Sequence, residues 1–183
     1  GARDPMATNP GNGIQSAIFG PPAWMFLHCV AANYPLRVTE EVRRTHAGFL
    51  EHVGKVLPCR YCRDNFQENL RAALCASAPE TWKQQECKDM RLQGCALRRR
   101  PLHDWPQFDG RESFFKLVWQ LHEEVSKCVK GDRYRPTNLD DVRARYETYR
   151  ADCHARSAGA SDGQCTGRRS KGACEVHVNF GSR

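Results

Sequence analysis

Apolar side chains recur every three or four residues along most of the chain, which is the spacing of helices buried on one face. No stretch shows convincing strand alternation. Four stripes stand out: Trp24, Leu27 and Ala31; Val42, His46, Phe49, Val53 and Val56; Cys62, Phe66, Leu70 and Ala73; and, from about Glu112, Phe114, Val118, Leu121, Val125 and Cys128. The pattern predicts an all-α fold: a four-helix bundle with a short fifth helix that carries Val142, Tyr146 and Tyr149 on one side.

Proline, glycine and capping residues predict where these helices begin and end. Because proline is tolerated in a first turn and disfavours helix in the residue before it, the first helix is predicted to start at Pro21–Pro22 and to end before Pro35. Thr39 can cap the second helix. Pro58 marks the start of the third helix, and Gly131 can end the fourth. The fifth is predicted to begin at Thr137 or Asn138.

Composition predicts one domain with an N-terminal arm, an insertion and a C-terminal tail. Residues 1–15 are interpreted as an N-terminal arm, whose first five residues, Gly1 to Pro5, look like a cloning remnant. Residues 16–152 form the domain, and the irregular, proline-containing stretch 75–112 is interpreted as an insertion. Residues 153–183, rich in Gly, Ser, Ala and Arg, are a cysteine-containing C-terminal tail.

Charge and hydropathy argue against several partners. No apolar run is long enough for a bilayer, and no secretory-signal pattern is visible, so we expect a soluble intracellular protein without a membrane partner. The net charge is +7 and the isoelectric point is about 9.0. The arginine clusters at 98–100 and 168–169 lack the interleaved aromatic residues of a nucleic-acid surface, so no nucleic-acid partner is predicted.

Ten cysteines are unusually many for an intracellular chain, and they indicate disulfides, metal ligands or thiol chemistry. Cys59 and Cys62 form a CxxC motif where a helix is predicted to begin. A helix N-terminus lowers a thiol pKa, and Arg60 and Arg63 add positive charge. A zinc half-site is the alternative, but it would need a second ligand pair that the sequence does not offer. No metal site is therefore predicted, and redox use is favoured.

Two helical motifs carry paired ring side chains. Trp24 and His28 are four residues apart in a WxxxH motif that is followed by Tyr34-Pro35, and His122 lies in an LHxxV motif of a later helix. Side chains four residues apart share a helix face, so an indole and a neighbouring imidazole could stack against a flat heterocycle and hydrogen-bond to it. Each motif taken alone is more often an ordinary core tryptophan or histidine.

In order, WxxxH with a following YP, then PCxxC, then LHxxV resembles the Erv/ALR family of FAD-linked sulfhydryl oxidases over roughly residues 16–150. The resemblance implies a small helical homodimer with FAD at the bundle mouth. Electrons would pass from protein or small dithiols to Cys59, then Cys62, then FAD, and finally to oxygen, which becomes hydrogen peroxide. It further implies a set of cofactor contacts: Trp24, His28, Tyr34, Lys55, Trp119, His122, Glu123, Val125, Ser126, Lys130, Arg145 and Tyr146.

The sequence departs from this family in two places. The usual HNxVN is His122-Glu123-Glu124-Val125-Ser126 here, so both asparagines are replaced. The family's disulfide, from three residues before that histidine to about fourteen after it, would fall on Trp119 and about Pro136. The departures suggest a divergent member, such as a viral one.

Several alternatives stay open at this point. Cys165 and Cys174 could shuttle electrons to Cys59, or they could cross-link the tail together with Cys153. The whole chain could instead be a zinc-binding interaction module or an inactive cross-linked scaffold. The expected compartment is the host cytoplasm or virion for a viral protein, or the mitochondrial intermembrane space.

Overall fold

The computed structural model of the chain describes residues 13–81 and 100–150. This part contains the helices α1 (Ser16–Ala32), α2 (Glu40–Val56), α3 (Arg60–Ser77), α4 (Arg111–Lys130) and α5 (Leu139–Glu147). Short 3-10 turns lie at Leu102–Asp104, Pro106–Phe108 and Gly131–Arg133. No strand occurs among the described residues. The prediction of an all-α fold with four long helices and a short fifth is confirmed.

Helix α4 is the centre of the fold, because α1, α3 and α5 all pack against it. Helix α2 packs against α3 and the 3-10 turn Leu102–Asp104. Leu50, Phe66, Leu70, Phe114 and Leu121 are buried together in the core between the helices. Burial of these apolar side chains is the main stabilising contribution to the fold.

The predicted helix ends that depend on local chemistry are found where expected. Thr39 caps α2, with its Oγ1 accepting a hydrogen bond from the backbone N–H of Val42 at 3.2 Å. Asn138 caps α5 by accepting from the N–H groups of Asp140 and Asp141. Gly131 ends α4 with a φ of 51°, a conformation that favours glycine.

The predicted start of the first helix was wrong. Helix α1 begins at Ser16, so Pro21 and Pro22 lie in its second turn. Proline there cannot donate the hydrogen bonds that would reach the carbonyls of Ala17 and Ile18. Both prolines are exposed, so water can hydrogen-bond to those carbonyls and the helix tolerates the prolines.

The described ends of the predicted insertion, residues 75–112, belong to the core. Cys75 to Ser77 complete α3, and Trp105 and Phe108 are fully buried. The Tyr34 hydroxyl donates to the Phe108 carbonyl at 2.6 Å, which fastens this segment to the end of α1. Residues 82–99, with Cys87 and Cys95, lie outside the described residues, as do Cys153, Cys165 and Cys174 of the tail, so the shuttle and cross-link alternatives for the tail both stay open.

Two predicted inward-facing residues point outward. Cys128 is exposed in the last turn of α4, with Sγ 3.6 Å from Asn69 Oδ1, and Val56 at the end of α2 is 71% exposed. Residues 127–130 are all exposed, so the end of α4 is not covered by its neighbours. Helical spacing identifies a face, but it does not tell how much of a helix the neighbouring helices cover.

Candidate active site

The CxxC motif forms the first turn of α3. Cys59 is the N-cap residue and is joined to Cys62 by a disulfide, with the two Cα atoms 5.2 Å apart. The backbone N–H of Cys62 donates to Cys59 Sγ at 3.1 Å. The helix N-terminus therefore directs its positive end at the sulfur atoms, where it would stabilise a thiolate released from this bond.

The two arginines beside the motif already have partners. Arg60 is exposed and lies 3.7 Å from the carboxylate of Asp64. Arg63 donates to the Leu57 carbonyl at 2.6 Å, which ties the end of α2 to the start of α3. A hydrogen bond to a carbonyl leaves the charge of Arg63 in place, so the arginine and the helix terminus are both sources of positive charge beside the motif.

The two sulfur residues differ in exposure. Cys59 is only 8% exposed, whereas Cys62 is half-buried. Chain from before α1 lies on Cys59, because Gly13 forms an isolated antiparallel bridge with it. The N–H of Ile14 donates to the Pro58 carbonyl at 2.8 Å. The start of α1 is thus tied to the redox motif.

Four ring side chains meet where α1, α4 and α5 join, and we call them the ring cluster: Trp24, His28, His122 and Tyr146. Trp24 stacks on His122 with ring centroids 4.1 Å apart and planes 11° apart. Tyr146 stacks on His28 at 4.9 Å and 24°. Both motif helices and the fifth helix are therefore needed to build one aromatic site.

The two histidines of the ring cluster are bonded to each other and are neutral near pH 7. His28 Nε2 and His122 Nδ1 are 3.2 Å apart. Burial, assisted by His122, lowers the pKa of His28 to about 3. Burial also lowers the pKa of His122 to about 4, a shift that Glu123 opposes and Lys130 increases.

One polar atom of the ring cluster has no hydrogen-bond partner within residues 13–81 and 100–150. His28 is 2% exposed, and its Nδ1 makes no hydrogen bond to this part of the chain. Whichever histidine donates in the bond between them, His28 Nδ1 is left as a buried donor or acceptor. A buried polar atom without a partner costs free energy, so this nitrogen suits a bound ligand that would meet it.

Glu123 was predicted as a cofactor contact, but the structure engages it in a different way. It is 4% exposed and accepts hydrogen bonds from the Tyr134 hydroxyl at 2.5 Å and from both the N–H and the hydroxyl of Thr137, at 3.1 and 2.8 Å. Burial, together with the bond to Glu123, raises the pKa of Tyr134 to about 12. Both carboxylate oxygens are occupied, so Glu123 anchors the segment that leads into α5.

Trp119 joins the same network. Its Nε1 donates to the Thr137 hydroxyl at 2.9 Å. This contact lies where the resemblance places a disulfide, at Trp119 and about Pro136. In this chain, side-chain hydrogen bonds connect α4 to the segment before α5 at that point.

The other predicted contacts are spread over the fold. Tyr34 is fully buried between Phe108 and Phe114, and burial raises the pKa of its hydroxyl to about 12. Lys55 is exposed in a groove between α2 and α3. Val125 packs on the edge of the core, and Ser126 is half-buried on α4. The described contacts do not bring Tyr34 or Lys55 to the ring cluster.

Lys130 and Arg145 are exposed cations that act on the ring cluster through their charge. Lys130 lowers the pKa of His122, and Arg145 opposes the rise in the pKa of Tyr146, which burial carries to about 12. Such effects require the charges to lie nearby. The fifth helix therefore supplies both a ring and a cation beside the ring cluster, while the predicted contacts of Tyr146 and Arg145 with a cofactor stay a prediction.

Sequence reasoning missed two side chains at the site. The Phe115 ring lies 5.6 Å from that of His28, and Cys29 raises the pKa of Tyr146 through its charge. Burial raises the pKa of the Cys29 thiol itself. Phe115 precedes His122 by two helical turns, so helical spacing could have placed it on this face.

Comparison with known proteins supports this description. A model of the Erv1/Alr family matches residues 21–147, which include the CxxC motif and the whole ring cluster. The "Mitochondrial FAD-linked sulfhydryl oxidase ERV1" of Saccharomyces cerevisiae is 30% identical over 115 residues, which are 63% of this chain and 44% of that protein. The "FAD-linked sulfhydryl oxidase ERV1" of Arabidopsis thaliana is 36% identical over 53 residues (29% and 28%).

A viral protein is similar as well. The "Probable FAD-linked sulfhydryl oxidase R368" of Acanthamoeba polyphaga mimivirus is 39% identical over 56 residues, 31% of this chain and 37% of that protein. The matched segments span less than half the length of these curated relatives. The family match, in contrast, covers most of this chain, and it contains the helices that build the site. The chain belongs to the Erv1/Alr family.

Proposed function

We propose that this chain is an FAD-dependent sulfhydryl oxidase, which forms disulfides in protein or small dithiols and passes the electrons to oxygen. The observation that carries the proposal is a CxxC disulfide at a helix N-terminus in the same small bundle as the ring cluster. The family match and the names of the three relatives support the same chemistry.

The residues of the ring cluster fit a flavin nucleotide. A flat heterocycle can stack on the planar rings of Trp24 and His122, and the unpartnered Nδ1 of His28 offers one hydrogen bond. Lys130 and Arg145 are nearby exposed cations that suit a diphosphate. FAD held there would supply two-electron chemistry, in which the electrons of a dithiol would pass to oxygen. Tyr34 and Glu123 are committed to protein contacts, so we assign them structural roles.

The thiol steps belong to the chain itself. A substrate thiolate attacks Cys59 Sγ, forms a mixed disulfide and releases Cys62 as a thiolate, which the N-terminus of α3 stabilises. A second substrate thiolate then attacks the substrate sulfur and releases Cys59. One substrate disulfide has formed, and two electrons rest on Cys59 and Cys62. In sum, one dithiol and one oxygen molecule give one disulfide and one hydrogen peroxide.

An absorbance spectrum of the purified protein is the first test, because bound FAD gives a visible flavin band. Oxygen consumption with dithiothreitol is the second. Cys59→Ser and Cys62→Ser should each abolish consumption and leave the band. Cys128→Ser is the matched control: this cysteine is exposed at the far end of α4, and its loss should change neither. A colourless protein, or full activity in either CxxC variant, would refute the proposal.

The alternative of a zinc-binding module has no support in the described residues, where no three His, Cys, Asp or Glu side chains are placed to hold a metal ion. Cys59 and Cys62 are joined to each other and are not available as zinc thiolates. Metal analysis of the purified protein separates the two: the zinc module would carry about one zinc per two to four thiolate ligands and no flavin.

We further propose that the protein forms a homodimer through α1. Ile18 and Phe26 are eight residues apart on this helix and are 68% and 57% exposed, and the Phe26 ring packs edge-on against Phe49 of α2 at 6.0 Å. An exposed apolar stripe that spans two helices favours association with a second apolar surface. A second copy of the chain would supply the same stripe in a symmetric contact.

The compartment remains a prediction. Within residues 13–81 and 100–150, no helix is both long and apolar enough to cross a bilayer. One relative is named as mitochondrial and another is from a virus. Fractionation of expressing cells distinguishes the two compartments expected from the sequence.

A further inference from the structure

The segment before α1 lies directly on the residue that a substrate must attack. We call Gly13 and Ile14 the strap. Gly13 pairs with Cys59, and Ile14 donates to the Pro58 carbonyl at 2.8 Å. Cys59 is left 8% exposed, whereas Cys62 remains half-buried. Among the described residues, the contacts that hold the strap on Pro58 and Cys59 are main-chain contacts.

The fit of the strap depends on glycine. Gly13 has a φ of 91°, in the region that side-chain-bearing residues rarely adopt. A Cβ atom there would lie 2.0 Å from the Pro58 carbonyl oxygen and 3.4 Å from Cys59 Cα. Only a residue without a side chain can approach Cys59 this closely, so the closed strap can be removed by one substitution.

Thiol–disulfide exchange needs an open approach to the attacked sulfur, because the incoming thiolate forms a bond to it while the other sulfur leaves. With the strap closed, the Cys59 residue has little exposed surface through which a thiolate can arrive. A protein thiol also brings its own backbone, which needs more room than a small reagent does.

We propose that the strap gates Cys59: it must leave the Pro58–Cys59 backbone before a substrate thiolate can attack, and it thereby restricts which dithiols are oxidised. The gate rests on the proposed function only in taking Cys59 as the attacked sulfur. The observed rate of attack then equals the intrinsic rate multiplied by the fraction of molecules with an open strap. Any change that weakens the closed form raises that rate.

Two substitutions weaken the closed strap by different physical means. Gly13→Val adds a Cβ that meets the Pro58 carbonyl and opposes the φ of 91°. Ile14→Pro removes the N–H that bonds to Pro58 and directs the proline ring carbon Cδ at the same carbonyl, without adding a side chain at Gly13. Gly20→Ala is the matched control, because a Cβ at Gly20 meets nothing within 4 Å.

The measurement is the anaerobic rate at which the Cys59–Cys62 disulfide of the full chain is reduced, followed by acid quench, alkylation and mass analysis of the peptide. Dithiothreitol is the small reagent, and reduced, unfolded ribonuclease A is the protein dithiol. Loss of one backbone hydrogen bond corresponds to a roughly two- to tenfold larger open fraction. We expect both strap variants to react faster by about that factor, with at least as large an effect for the protein dithiol.

Equal rates in the wild type and both strap variants would overturn the gate, as would an equal acceleration in Gly20→Ala. Circular dichroism at 222 nm checks that each variant keeps its helices. If Gly13→Val unfolds, the reduction rate of Ile14→Pro still tests the gate. Amide hydrogen exchange of the wild type is a second, independent measurement. The Ile14 N–H should be protected in the oxidised protein, and exchange as fast as in an unfolded peptide would also overturn the gate.

Alkylation reports the cysteines directly and can be applied whether or not the purified protein carries a flavin. A colourless protein that shows faster reduction in both strap variants would refute the oxidase and retain the gate. A yellow, active protein with unchanged reduction rates would support the oxidase and refute the gate. The oxidase and the gate can therefore be refuted independently of each other.

Discussion

His28 and His122 share one hydrogen bond at a place where neither side chain can readily take up a proton. Burial holds the pKa of His28 at about 3 and that of His122 at about 4, whereas histidine in an unfolded chain titrates near 6.5. Below pH 6.5 these two histidines therefore bind protons in the unfolded chain but stay mostly neutral in the folded chain. The free energy of unfolding must decrease as the pH falls through this range.

We expect the protein to lose on the order of 2 kcal/mol of stability for each of these histidines between pH 7 and pH 5. Urea unfolding across this range measures the loss. His122→Phe keeps a flat ring beside Trp24 and removes one titrating group, so its stability should decrease less steeply. His52→Gln, at an exposed position of α2, is the control and should follow the wild type. A curve for His122→Phe as steep as that of the wild type would contradict this explanation.

Glu123 is the second decisive single residue, because three donors converge on one buried carboxylate. Glu123→Ala leaves those donors without their acceptor and should cost about 2–4 kcal/mol of unfolding free energy. Flavin content should decrease as well, since the anchored segment leads to Tyr146. Glu123→Gln keeps one acceptor oxygen and should recover part of both.

Its neighbour Glu124 provides the comparison. Glu124 is half-buried, accepts from Gln120 at 2.8 Å and is paired with exposed Lys127 at 2.8 Å, and a pair with one exposed partner contributes about 0–1 kcal/mol. Glu124→Ala should therefore change stability little. If the two alanine variants unfold at the same urea concentration, the network around Glu123 is not an anchor.

Sequence motifs pointed to the residues of the ring cluster, but a motif does not tell which neighbours a side chain will contact. Trp24, His28, His122 and Tyr146 all meet in the structure. Tyr34 belongs to the same motif as Trp24, but it packs in the core, because the turn after α1 directs it toward Phe108. No sequence pattern tells whether a carboxylate such as Glu123 will face a ligand or the N–H of Thr137.

At the scale of helices, the contact between α2 and α3 depends on a glycine. A Cβ at Gly54 would lie 2.3 Å from Cδ1 of Phe66, a ring that is 4% exposed and cannot move aside cheaply. Gly54→Ala should therefore destabilise the protein by about 1–3 kcal/mol through overpacking.

Gly48 lies on the same helix and is the matched control, because a Cβ added there would meet nothing within 4 Å. Gly48→Ala should stabilise the protein by about 0.5–1 kcal/mol, because alanine favours helix. Thermal unfolding of both variants gives the comparison, and a Gly54→Ala protein as stable as Gly48→Ala would show that α3 shifts freely.

Helix boundaries were predictable where a side chain acts on its own backbone, as at Thr39 and Asn138, or where a glycine takes a positive φ, as at Gly131. The start of α1 was not, because Ser16 begins a helix whose prolines are tolerated only through solvent exposure of the preceding turn. The role of Trp105 and Phe108 was also missed, since a short 3-10 turn lacks the periodicity that marks a buried helix face.

At the scale of the whole molecule, the proposed homodimer requires that the exposed apolar stripe of α1 lies in the interface between the two copies. Phe26→Glu places a charge in the exposed stripe, and a desolvated unpaired charge disfavours association strongly. Sedimentation velocity should show a dimer for the wild type and a monomer for this variant. Leu36→Glu, at a position that is 80% exposed after α1, is the control and should remain dimeric. A wild type that sediments as a monomer at micromolar concentration would exclude the dimer.

The all-α class and the helix order followed from spacing alone, because amphipathic periodicity is a local property of the chain. The resemblance, carried by three short motifs, implied the family, which the match over residues 21–147 confirms. The contact of Gly13 with Cys59 joins residues 46 positions apart in sequence. No local sequence pattern at either residue predicts this contact.

The two prolines inside α1 have a consequence for the cooperativity of the molecule. Neither has an amide hydrogen, so the turn that begins at Ser16 lacks two of the bonds that would connect it to the rest of the helix. Segments joined in this way open as separate units at a lower free energy than the global transition. Native-state amide exchange should therefore divide α1 into an early-exchanging part before Pro21 and a slow part from Ala23 onward.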